Sequence, residues 1–145
     1  LVLGSSSLAN SRLVMHYGMQ ILALRALTTL CIIALGFCVV VYVYAGQPHL
    51  WQLMVFFSLS FFCLGILFGN FNAMAMEPLG HMAGLGAALV GSLSTLISLP
   101  VGWAIGKAFD GGVTALVLGF AVFGLAALAV IAWTERGAAR QPQNP

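Results

Sequence analysis

The sequence predicts an all-α membrane protein, and three observations carry that expectation. Four long apolar stretches fill most of the 145 residues. The five basic and three acidic side chains fall in the breaks between those stretches or at their margins. Composition is 61% hydrophobic and 6% charged with a mean hydropathy of +1.07, whereas about a quarter of the residues of a soluble domain are charged.

The first element, over 1–12, begins with a run from Leu1 to Ala9 that is too short to span and lacks the basic n-region of a signal peptide. It reads as the stub of an earlier helix, so the chain is expected to be the C-terminal part of a longer membrane protein. The uncharged stretches that follow are Ala26–Gly46, Trp51–Met76, Met82–Gly106 and Gly111–Thr134, each long enough for the about 20 residues that cross a hydrocarbon core of about 30 Å. They place spans at about 22–45, 51–76, 82–106 and 112–134, followed by a tail over 135–145.

With spans crossing in turn, Arg12, Arg25, Arg136 and Arg140 fall on one side and Lys107 on the other. Short loops rich in Lys and Arg stay on the cytoplasmic side, so the tail is expected to be cytoplasmic. Asp110 lies close enough to offset Lys107. Trp and Tyr prefer the headgroup level; Tyr42, Tyr44, Trp51 and Trp103 mark the external boundary and Trp133 the internal one.

Composition also excludes functions. Nucleic-acid binding needs clustered Lys and Arg, which are absent. Cys31, Cys38 and Cys63 lie within apolar stretches, where a thiol acts as a small hydrophobe. Neither CxxC nor Cys/His zinc spacing occurs, so no metal and no other cofactor is expected. No Ser/His/Asp set or phosphate loop suggests an enzyme.

Within the spans, Gly65 with Gly69 and Gly102 with Gly106 have the four-residue spacing that lets membrane helices approach closely. Pro100 removes a backbone donor from the third span and predicts a kink. Pro100, Gly102 and Gly106 therefore mark either a moving helix or a static bend fitted to its neighbours. Asn70 and Asn72 need partners in hydrocarbon, either a neighbouring helix or a wet cavity. Being two apart, they point to different faces. Glu77 closes the second span before Pro78, with His81 following; at the interface water solvates the carboxylate, which favours a loop-anchoring role over proton relay.

The run Gly65–Gly84, GILFGNFNAMAMEPLGHMAG, resembles the exit of the tenth helix and the following loop of major facilitator superfamily transporters, close to the Bcr/CflA drug-resistance branch. The stretch from Leu85 through GWAIGKAFDG, ending at Gly111, resembles their eleventh helix and last external loop, and Gly119–Trp133 their twelfth helix. Gly4, Asn10, Arg12, Leu13 and Gly18 resemble the end of the eighth helix and the loop into the ninth. The resemblance implies the C-terminal part of a twelve-helix fold in a bacterial cytoplasmic membrane, comprising a stub of helix 8 and helices 9 to 12. It also implies efflux of a small molecule, a drug or metabolite, coupled to protons by alternating access.

In that family the tenth helix contributes to the central cavity and the eleventh packs beside it, which makes Asn70, Phe71, Met74, Ser94 and Ser98 candidate cavity residues. Gly65, Gly69, Pro100, Gly102 and Gly106 are candidates for gating or helix packing, and Glu77, His81 and Arg12 for anchoring the cytoplasmic loops. The implied partners are a small-molecule substrate, protons, the bilayer and the preceding helices of the same chain. A different class, a small multi-spanning scaffold or assembly subunit without transport, would show the same spans.

Overall fold

The computed structural model describes residues 2–108 and 112–138. They form five α-helices, α1 Val2–Tyr17, α2 Met19–Val43, α3 Leu50–Met76, α4 Ala83–Lys107 and α5 Thr114–Ala138, with a 3-10 turn over Glu77–Met82 between α3 and α4. No strand occurs among the described residues. Four segments, Met19–Val43, Leu50–Gly80, Gly84–Lys107 and Thr114–Thr134, are long and apolar enough to cross a membrane. A helix satisfies its backbone hydrogen bonds internally, which hydrocarbon requires.

Sharp breaks set the boundaries. The loop expected between the stub and the first span reduces to Gly18, whose φ of +78° lies in the left-handed region that only glycine adopts without strain. His16 and Tyr17 end α1, while Met19 and Gln20 open α2. At the far end of α2, Ala45 (φ 48°) and Gly46 (φ 84°) turn the chain. The Gly46 N–H donates back to the Val41 carbonyl at 2.9 Å, and the Gly46 carbonyl accepts from Val113 N at 3.2 Å, which ties this turn to the start of α5. The start of α3 is capped by His49, whose N–H donates to Gln52 Oε1 at 2.9 Å. The α3 helix ends at Met76, where the chain tightens into the 3-10 turn that holds Pro78, a residue without an N–H to continue the α-helical ladder.

The core lies where α2, α3 and α5 meet. One cluster joins Ala34, Phe37 and Val41 of α2 to Phe56 of α3 and to Val117 and Ala121 of α5. Phe56, only 2% exposed, stacks on Phe37 with centroids 4.4 Å apart and meets the Phe120 ring edge-on at 5.7 Å. A second cluster, Leu22 to Cys31 on α2 with Cys63, Ile66 and Leu67 on α3, continues the seam. Gly124 brings α5 close to α2, since a Cβ there would lie 2.9 Å from the Cys31 sulfur. Cys31, Cys38 and Cys63 are free thiols.

The α4 helix stands apart. It runs unbroken through Pro100, yet no residue from Ala87 to Lys107 is buried. Its close contacts lie at its two ends, with Leu79 of the 3-10 turn under Gly86 and Ile105 against Gly119 of α5. Within the core, the Ser60 hydroxyl is fully buried and has no hydrogen-bond partner among the described residues. Thr28, Thr29, Thr95 and Ser98 instead donate to the carbonyl one turn back.

Candidate functional site

The α1 helix packs on α3 through the smallest residues of both. Ser6, completely buried, sits where a side chain on Gly65 would be, and a Cβ on Gly69 would lie 3.4 Å from Asn10 Nδ2. Asn70 comes next along the same crossing, 2% exposed, and its Nδ2 donates to Asn10 Oδ1 at 2.8 Å. Gly65 and Gly69 thus admit α1, and Asn70 bonds it. Asn72 points elsewhere and donates to the Phe68 carbonyl of its own helix at 2.9 Å.

That geometry predicts unequal effects for the two amides. Asn70→Ala should lower stability by about 0.6–1.7 kcal/mol, from the average to the largest of measured interhelical hydrogen bonds in membranes. Asn72→Ala should stay within about 0.5 kcal/mol, as substitutions away from buried partners do. Reversible unfolding in mixed detergent micelles would read both, and equal losses would contradict the assignment.

The five candidate cavity residues do not converge within this chain. Asn70 is taken up by Asn10. Phe71 lines an open apolar groove of about 820 Å³ between α1, α2, α3 and α5, whose walls include Leu30, Leu64, Phe120 and Phe123. Met74 lines a smaller cleft of about 240 Å³ at the α1–α2 break, together with Glu77. Ser94 and Ser98 share a third cleft, on α4, with Thr95, Gly102 and Trp103. A Cβ added to Gly102 or Gly106 would have nothing within 4 Å.

Of the loop residues, Glu77 begins the 3-10 turn and is exposed, and Arg12 is exposed on α1. His81 stands in the same turn, but its side chain lies outside the described residues, as do Asp110, Arg140 and residues 139–145 of the tail. Two contacts of charged residues had no counterpart in the sequence reading. The Arg25 guanidinium folds back over the Tyr17 ring, 4.7 Å from its centroid, and Lys107 Nζ lies 4.6 Å from the centroid of Trp103. The second is legible as a four-residue spacing on one helix; the first requires knowing that Gly18 alone separates α1 from α2.

The fold defines the class: an all-helical protein with four helices apolar enough to span a membrane. Comparison with known protein families, with curated proteins and with solved structures returns no match.

Proposed function

We propose that this chain contributes the end of helix eight and helices nine to twelve of a major facilitator superfamily transporter of the Bcr/CflA drug-resistance type, which exports a small molecule from a bacterial cell in exchange for protons. The observation that carries this reading is the open face of α4. Ser94, Thr95 and Ser98 line a cleft of about 510 Å³ on a helix with no buried residue beyond Gly86. Thr95 and Ser98 donate their hydroxyl protons to their own helix, and the hydroxyl oxygens keep acceptor capacity that a neighbouring helix or water can use. A transport cavity completed by further helices of the same protein supplies both. The likeness of Gly65–Gly84 to the tenth-helix exit of that family adds the name.

In this reading Phe71, Ser94 and Ser98 face substrate, and Asn70 holds helix eight to helix ten. Glu77 stays at the cytoplasmic surface, since the proton-coupling carboxylates of such exporters lie in the first half of the fold. Inverted repeats rock about a midplane site built from both halves, so these residues alone form no complete site. In cells expressing the full-length gene, efflux of a cationic dye should collapse when a protonophore removes the proton gradient. Ser94→Val with Ser98→Val should reduce it about tenfold at unchanged protein abundance, about 1.4 kcal/mol in transition-state terms. Gradient-independent dye retention in those cells would favour a scaffold without transport.

A further inference from the structure

We propose that the cleft at the α1–α2 break binds a soft monovalent metal ion, copper(I) or silver(I), through the thioethers of Met19 and Met74 and the carboxylate of Glu77. All three side chains line that cleft, whose volume is only about 240 Å³. Met19 opens α2, and Met74 and Glu77 stand where α3 passes into the 3-10 turn. Glu77 keeps helical dihedral angles, φ −53° and ψ −50°, so it shares a helix face with Met74 three residues before it.

Sulfur is concentrated at this level of the protein. Five of the six methionines, Met15, Met19, Met74, Met76 and Met82, fall within 15–19 and 74–82. The segment Met19–Val43 begins there and Leu50–Gly80 ends there, so both stretches lie at one membrane surface. Leucine fills the same apolar volume as methionine; a thioether adds a polarizable sulfur that can act as a ligand. Met19 and Met74 are the two that reach the cleft.

The donor set selects the ion. Thioethers are soft, neutral ligands of the kind that favours copper(I), whereas calcium and magnesium take oxygen ligands. Zinc is held by Cys, His and carboxylate. Cys31 and Cys63 are buried in the packed spans, and Cys38 lines a different cleft. Among the described residues no three of His, Cys, Asp and Glu come together, so spacing rules written for zinc pass over a site made of thioethers. Charge points the same way: one carboxylate neutralises a monovalent ion but leaves a divalent one with net charge at the edge of hydrocarbon, where charge is costly. Glu77 is exposed while Met19 and Met74 are half-buried, which lets the ion enter from water past the carboxylate and come to rest against sulfur. The three rotatable bonds of each methionine allow both sulfurs to close on it. Once bound, the ion ties the start of α2 to the end of α3. The site stands whether or not the protein moves a substrate.

The test is a titration of the full-length protein in detergent with silver nitrate, a probe that needs no reductant, in chloride-free buffer. The methionine methyl groups carry ¹³C and are followed by NMR. The Met19 and Met74 resonances, assigned by Met19→Leu and Met74→Leu, should shift in parallel with one midpoint, while that of Met54, near the opposite end of α3, stays in place. Silver held by cysteine thiols leaves methionine methyls unmoved and cannot imitate this result. Met74→Leu, which conserves volume, should raise the midpoint for Met19 about tenfold, and Glu77→Gln about threefold. Unmoved Met19 and Met74 resonances, equal shifts at Met54, a Met19 response indifferent to Met74→Leu, or the same shifts with magnesium sulfate would overturn the proposal. The titration of the unaltered protein decides independently of how the variants fold.

Discussion

Phe56→Ala is expected to destabilise the helical bundle by about 3–5 kcal/mol, the cost of removing a buried aromatic from a packed core. The residue sits where α2, α3 and α5 meet, touching Phe37 and Phe120 and grouped with Ala34, Val41, Val117 and Ala121. In hydrocarbon the loss is not one of hydrophobic transfer, because lipid tails are as apolar as the side chain. It comes from dispersion contacts left without partner atoms around a void. Phe68→Ala provides the control: Phe68 is 75% exposed on the same helix, and its removal should cost less than about 0.5 kcal/mol. Unfolding in mixed micelles, followed by helicity, would measure both, and similar losses would show that the three-helix seam is not the core.

Gly65→Ala is expected to dislodge α1 from α3, because the added Cβ would occupy the position of the Ser6 hydroxyl and lie 3.0 Å from the Ser6 Cβ. Ser6 has no room to yield. It is completely buried, and its Oγ donates to the Leu3 carbonyl at 2.8 Å. Overpacking of this kind costs about 1–3 kcal/mol, and separating the helices also strains the Asn10–Asn70 bond. The companion change Ser6→Gly removes the conflicting atoms, so the double variant should regain most of the loss, a coupling that only residues in contact display. Amide exchange in α1 would accelerate in Gly65→Ala and return toward normal in the pair. Gly102→Ala, with open space around it, should change the stability of this chain by less than about 0.5 kcal/mol. Unaltered α1 protection in Gly65→Ala would contradict the crossing.

The two glycine pairs illustrate how far the sequence could be read. Both have four-residue spacing, and nothing in their neighbours separates them. One receives α1 and the other faces open space. The amides illustrate the same limit. Asn70 and Asn72 were separable, since two residues along a helix cannot share a face, but Asn10 stood out as no partner until the fold brought it across from α1. The five cavity residues that the family resemblance implies are distributed by the fold over three clefts and one buried bond.

Where helices run and where they stop is written locally. Uncharged length and charges in or near the breaks define the apolar helices, because hydrocarbon tolerates neither an unpaired backbone group nor an unsolvated charge. Gly18 and Gly46 show the reason in miniature: each supplies a positive φ where the chain must turn. The rotation of each helix about its axis is another matter. A soluble helix reveals its inner face by polarity, but α2, α3 and α5 carry apolar residues all round and their few polar side chains fall on buried and exposed faces alike, so composition names no inward face. Steric fit between distant residues settles it, as with Ser6 at Gly65, Cys31 at Gly124 and Phe37 on Phe56. Those contacts, together with the solitary position of α4, belong to the assembled fold.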